Sequence, residues 1–135
     1  MKDSLRPGLT TTRRFEIDDG RTIGFMGAEG RVYATPSMVA DIEITCRDLL
    51  LEHADAGEDS VGMRIELDHL GATPLGAWVD IEARVAGVDD RKVTFDIFVQ
   101  DAVELVGRGR HVRFVVDVAR MKERLAGKRD KLAAH

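Results

Sequence analysis

Beyond residue 60 the chain is dominated by segments in which apolar side chains recur at every second position. This period-two signal limits the fold more than any other feature. In the first segment Val61, Met63, Ile65, Leu67 and His69 share a face, and Gly62, Arg64, Glu66 and Asp68 take the other. Val79, Ile81, Ala83 and Val85 then alternate with Trp78, Asp80, Glu82 and Arg84. Past the turn residues Asp89 and Asp90, Val93, Phe95, Ile97 and Val99 alternate with Thr94, Asp96 and Gln100. A fourth segment, from about Val103 to Val118, holds Gly107 and Gly109 in its interior, where glycine marks a bulge or a close backbone approach. Short connections predict that consecutive segments are antiparallel neighbours.

One long helix precedes these strands. Thr35 is suited to cap its free amides, and Pro36 lacks the amide that would go unpaired in the first turn. Met38, Val39, Ile42, Cys46, Leu49, Leu50 and His53 recur at helical spacing, while Ala40, Ile44 and Leu51 lie opposite, so the helix is expected to be covered on more than one side. Ahead of it, Phe15 and Ile17 mark a strand, followed by a pliable loop with Gly24, Gly27 and Gly30. Residues 1–12, with Pro7, Gly8 and three consecutive Thr, are expected to form a lead-in, and a thinly striped helix over about 119–135 closes the chain. Strand, helix, four strands and short helix predict an α+β fold of one domain over residues 1–135. In it an antiparallel sheet curls around a buried helix.

Charge and cysteine content narrow the function classes. Twenty Lys and Arg against 24 Asp and Glu leave a net charge of −4, which disfavours a protein that must neutralise duplex phosphates, so no nucleic-acid partner is expected. The basic excess is confined to the tail (Arg120, Lys122, Arg124, Lys128, Arg129 and Lys131) and reads as a solvated helix face. A single thiol, Cys46, and the lack of any Asn for a glycosylation sequon fit a reducing cytoplasm. Residues 1–8 carry no apolar targeting segment, and no uncharged run approaches the roughly 20 residues that span a bilayer. No membrane partner is expected. Neither a Walker A run, G-x-G-x-x-G, H-E-x-x-H nor paired C-x-x-C is present, so no metal or cofactor is expected.

Polar groups in apolar settings are what remain. Glu43 lies at the edge of the main helical stripe, either as an exposed carboxylate paired with Arg47 four residues on or as a buried acid-base group. His69 falls on the apolar face of its strand, as a core histidine satisfied by backbone or as a proton carrier. By itself Thr35 is a helix cap. His111 and Arg113 share a face of the last strand beside Gly107 and Gly109, which makes Arg113 either a rim charge or an anchor for an anionic ligand.

Taken in order, Thr35 and Glu43 eight residues apart on one helix, Gly62 opening a strand and His69 closing it resemble the hotdog-fold thioesterases of the fluoroacetyl-CoA thioesterase type. The stretch Tyr33 to Glu43 is similar to the helix that carries the family's catalytic Thr and Glu. Ser60 to Gly76 is similar to the strand and turn carrying its His, and Gly107 to Arg113 to the final strand whose Arg lines the pocket. The likeness covers about residues 10–125. It implies a hotdog fold and hydrolysis of an acyl-CoA by Thr35, Glu43 and His69. It also implies substrate contacts from Tyr33, Gly62, His111 and Arg113, with coenzyme A present only as part of the substrate, and a homodimer with pockets between subunits. Two other chemistries fit such a pocket: an acyl-CoA hydratase or dehydratase, and a non-catalytic acyl-CoA binding module. In the fluoroacetyl-specific member, aromatic residues before the helix act as a lid. Here the segment Phe25 to Tyr33 is glycine-rich with Tyr33 as its one late aromatic, so selectivity for fluoroacetyl is not implied.

Overall fold

A computed structural model describes residues 1–135. Strand β1 (Thr10–Glu16) is followed by two short strands, β2 (Thr22–Ile23) and β3 (Val32–Tyr33), that pair only with each other. Helix α1 (Thr35–Leu51) comes next, then the long strands β4 (Glu58–His69), β5 (Trp78–Asp89), β6 (Lys92–Gln100) and β7 (Leu105–Asp117), and helix α2 (Val118–Ala133). The main sheet is antiparallel, in the order β1-β5-β6-β7-β4, and it wraps α1. Met38, Ile42, Cys46 and Leu50 of the helix are fully buried against Val79, Ile81, Val93, Phe95, Ile97 and Val99 of the sheet. This is the expected α+β arrangement, and α2 buries none of its residues, as its thin stripe implied.

Four expectations need correction. Residues 1–12 are not a loose lead-in: β1 starts at Thr10, Leu5 is buried in the core, and Gly8 donates its amide to the Val85 carbonyl. Backbone pairing supplies the order that apolar content does not, and three β-branched threonines suit an edge strand. Next, β4 does not neighbour β5; it lies at the far edge beside β7, because residues 70–77 carry the chain across the end of the helix instead of turning back. Ala40 and Ile44 are exposed, so within one chain the second side of α1 stays open. Finally, Val61 and Met63 point outward and are exposed. A bulge between Gly62 and Arg64 inserts one extra residue opposite β7, and since strand side chains alternate strictly, it inverts the face of everything before it. Ser60 and Gly62 therefore face inward together with Ile65, Leu67 and His69.

The β4–β7 pairing is close at Gly109, where an added Cβ would lie 1.9 Å from the Glu66 carbonyl oxygen. Backbone on both sides leaves no flexible group to yield. Gly109→Ala is expected to cost about 2 kcal/mol or more in urea unfolding. Gly87→Ala, at a position with no neighbour within 4 Å, should stay within about 0.5 kcal/mol of wild type.

Candidate active site

The first turn of α1 and the last residue of β4 meet at one end of the sheet. Ala34 is the residue that caps α1, without a side-chain hydrogen bond, so Thr35 does not serve as the cap. Its hydroxyl lies instead 2.7 Å from Nδ1 of His69. The imidazole is not a backbone-satisfied core group: Nε2 is buried and makes no hydrogen bond. A hydroxyl can donate or accept, so either tautomer suits the Thr35 contact, and in each the second ring nitrogen lacks its partner. Burial lowers the pKa of His69, with the Gly71 backbone acting the other way. A cavity of about 350 Å³ opens here, lined by Thr35, His69, Tyr33 and the apolar Ile23, Val32 and Leu70. Tyr33 faces it with its ring, edge-on to His69 at 6.3 Å between centroids, while its hydroxyl is turned away to Asp41.

Glu43 lies two turns further along α1, in a separate cleft of about 160 Å³ with Ala40, Ile44, Arg47 and Arg113. The pairing of Glu43 with Arg47 does not form, because Arg47 is held by both carboxylate oxygens of Asp59, at 3.0 and 2.7 Å. Gly62 permits the approach of β4 to this acid: a Cβ there would lie 2.6 Å from Glu43 Oε1 and 3.2 Å from the His111 ring. Behind it the Arg113 guanidinium is buried. It donates to Ser60 Oγ at 2.7 Å, to the Ser60 carbonyl at 2.9 Å and to Nε2 of His111 at 3.1 Å, with no carboxylate among its partners. Arg113 is thus no rim charge. Arginine only donates and a carbonyl only accepts, so His111, whose Nδ1 lies 2.9 Å from the Arg64 carbonyl, is fixed as the neutral tautomer protonated on Nδ1. Burial holds its pKa down, and Arg113 adds to the effect.

The sequence residues therefore fall into two groups. Thr35, His69 and the Tyr33 ring share one cavity, whereas Glu43 and Arg113 line another, with Gly62 and His111 beside them, further back along β4. Within one chain the structure does not bring Glu43 to His69.

Comparison with known proteins gives the family. The model of the fluoroacetyl-CoA-specific thioesterase family matches residues 17–119. The chain belongs to this family. It is 28% identical over 135 residues to the fluoroacetyl-CoA thioesterase of Streptantibioticus cattleyicolor, covering 95% of this chain and 97% of that one. A solved structure of the fluoroacetyl-CoA thioesterase superposes with a TM-score of 0.85 at 27% identity, covering 93% of this chain and 98% of that one. A hot-dog-like protein from Thermanaerovibrio acidaminovorans, 20% identical, shares the fold with a TM-score of 0.83 over 90% of this chain and 91% of its own. The fold is the hotdog fold.

Two features of this thioesterase-family chain escaped the sequence reading. Asp41 is buried on α1 and accepts hydrogen bonds from Tyr33 and Arg21; its signal was a carboxylate inside the apolar stripe, three residues after Met38 and beside Ile42. Ser60, which holds Arg113, carried none, because only the bulge turns it inward. Ahead of α1, Phe25 and Met26 are exposed and do not line the cavity.

His69 and His111 both have folded pKa values below the ordinary 6.5, so the unfolded chain binds more protons as acid is added. Stability that is full above about pH 6.5 is then lost as pH falls through the depressed folded values. That window lies above the one in which Glu58, Asp59 and Asp80, whose pKa values are also lowered, take up protons. Urea unfolding at pH 7.5 and 5.5 should show lower stability at the acid end, and a smaller drop in His111→Gln.

Proposed function

We propose that this protein is an acyl-CoA thioesterase, working as a cytoplasmic homodimer whose sites are shared between protomers. The observation that carries the proposal is the buried, unpartnered Nε2 of His69 beside the Thr35 hydroxyl, at the end of an unpaired edge strand. Glu43 and Thr35 are eight residues apart on α1, about 12 Å along its axis. α1 and β4 run in opposite directions, so His69 accompanies Thr35 and Gly62 accompanies Glu43. Pairing two β4 edges about a two-fold axis reverses one against the other. The Gly62 end of one strand then meets the His69 end of the other, and the partner's Glu43 approaches the Thr35–His69 cavity. The same pairing satisfies the exposed strand edge and turns the open side of α1, with Ile44, toward the partner.

In such a site the partner's Glu43 takes a proton from water as the water oxygen adds to the thioester carbonyl, and His69 relays that proton to the departing sulfur as the C–S bond breaks, giving a carboxylic acid and free CoA thiol. If Glu43 attacks the carbonyl itself, loss of the thiol leaves a mixed anhydride that water then cleaves to the same products. Thr35 orients His69. The first-turn amides of α1, which have no side-chain cap, and the backbone at Gly62 are donors for the carbonyl oxygen as charge develops. Arg113, held by Ser60 and His111, positions the acyl group or the carboxylate.

Thiol release should be measured with short, branched, aromatic and long acyl-CoAs, and an enoyl thioester followed for loss of conjugation. Hydrolysis is expected, with Glu43→Gln and His69→Ala each lower by about 10²- to 10⁴-fold in kcat. Wild-type rates in Glu43→Gln would overturn the mechanism. Light scattering is expected to return twice 14.9 kDa; a 14.9 kDa species would remove the shared site. Gly62→Ala, which pushes on the flexible end of Glu43 and presses the buried His111 ring, should lower kcat by more than it lowers urea stability.

A further inference from the structure

Behind the Thr35–His69 cavity lies a buried ionic knot that the chemistry above does not use. Asp41 Oδ2 accepts from the Tyr33 hydroxyl at 2.6 Å and from Arg21 Nε at 2.9 Å, and Oδ1 accepts from Arg21 Nη2 at 3.2 Å. The Tyr33–Asp41 bond is buried, where it is strong and costly to break, and the Arg21 bonds to the same carboxylate are half-buried. The knot joins three elements. Arg21 comes from the turn after β1, where its guanidinium also lies over the Phe15 ring at 5.3 Å; Tyr33 ends β3, and Asp41 sits on α1. Main-chain bonds tighten the same junction: the Ala34 amide donates to the Arg21 carbonyl and the Tyr33 amide to the Thr73 carbonyl, both at 2.8 Å.

What the knot holds is the entry to α1. Thr35 follows Tyr33 by two residues, and the Tyr33 ring stands edge-on to His69. We propose that Asp41, with Arg21 and Tyr33, is a positioning group for the Thr35–His69 pair: it locks the Tyr33 ring and the first turn of α1 so that hydroxyl and imidazole keep their contact and Nε2 stays buried. This rests on the reading of Thr35 and His69 as part of the hydrolytic site and adds three residues that act through them. Tyr33 accordingly serves the reaction by its ring and its anchored hydroxyl, not by a hydrogen bond to substrate. Burial and the Asp41 hydrogen bond push the pKa of the Tyr33 phenol well above its ordinary value, so it stays a donor to Asp41 throughout the working range.

The His69 ring reports the device directly. It faces Tyr33 from β3, Thr35 from α1, the Gly71 backbone from its own strand end and Gly107 across the β4–β7 pair; Glu104, on the loop before β7, lies against Gly71. Loosening the knot admits water to the imidazole and releases the Thr35 contact. The experiment is an NMR titration of the His69 ring in wild type, Tyr33→Phe and Asp41→Asn, with thiol release from acyl-CoA measured on the same samples. Tyr33→Phe removes a single hydroxyl and keeps the ring, so it remains informative should Asp41→Asn fail to fold. In folded variants the His69 midpoint is expected to move up toward 6.5 and the bonded Nδ1 signal to weaken. A fall in kcat of roughly ten- to a hundredfold with KM within about twofold, and an acid limb of the rate profile displaced upward with the midpoint, should accompany this. An unchanged His69 midpoint, Nδ1 signal and rate profile in folded Tyr33→Phe would overturn the proposal. His69→Ala separates the two claims: if it hydrolyses like wild type the thioesterase mechanism fails, whereas the NMR midpoints still decide the role of the knot.

Discussion

A single extra residue in β4 decides what this fold can present to a ligand. Gly62 and His69 are seven positions apart, and in a regular strand an odd separation puts two residues on opposite faces of the sheet. The bulge between Gly62 and Arg64 turns both toward α1. On the helix, the eight-residue step from Thr35 to Glu43 is a little more than two turns, which keeps both near one face. Helical period and bulged strand thus present matched pairs to one another: Thr35 with His69, Glu43 with Gly62. Without the bulge, Ser60 and Gly62 would face solvent, Arg113 would lose both of its Ser60 acceptors, and Val61 and Met63 would crowd the space that Glu43 occupies.

The buried polar groups follow one rule and break it in one place. Arg113, His111 and Asp41 each sit among apolar neighbours, and each is supplied with partners: Arg113 by Ser60 and the His111 ring, His111 by the Arg64 carbonyl, Asp41 by Arg21 and Tyr33. A buried group left unsatisfied costs about 1–3 kcal/mol, so such networks are normally complete. His69 Nε2 is the exception. An orphaned acceptor or donor beside a cavity and an unpaired strand edge is a stored deficit that a ligand or a second protomer relieves, and this separates a site from well-packed core.

Much of this was legible in the chain. Segments such as Val79 to Val85 and Val93 to Val99 could be placed because their burial has one cause, the alternation of a half-buried strand. His69 and Arg113 were visible as polar residues on apolar strand faces and Glu43 as a carboxylate at the edge of the helical stripe, whereas Thr35 and Gly62 came forward only through the family resemblance. What could not be read has physical causes of its own. A bulge is one residue's departure from alternation, and Met63, being apolar, hid it by continuing the pattern. The order β7-β4 depends on residues 70–77 crossing the helix end, a tertiary fact with no local signature. Thr35 is identical in composition to an N-cap; only the position of His69, 34 residues away, shows that its hydroxyl is taken elsewhere.

The separation of Glu43 from His69 within one chain is forced by the same geometry that makes the fold stable. A helix gains about 1.5 Å per residue and a strand about 3.3 Å, so a helix lying antiparallel to a strand can touch it at two places without joining them. Bringing Glu43 to His69 inside one protomer would require α1 to shift by two turns along the sheet, exposing Met38, Ile42 and Cys46, all of which are fully buried. Moving the helix is therefore far more costly than pairing two edges. β4 is open, its outward residues Val61 and Met63 are apolar, and the uncovered side of α1 carries Ile44 beside Glu43. A two-fold operation needs no change in the fold: it reverses one strand against its copy and exchanges the near and far ends of each site. On the proposed reading, pairing two protomers assembles the acid with the imidazole that the packing within each protomer keeps apart.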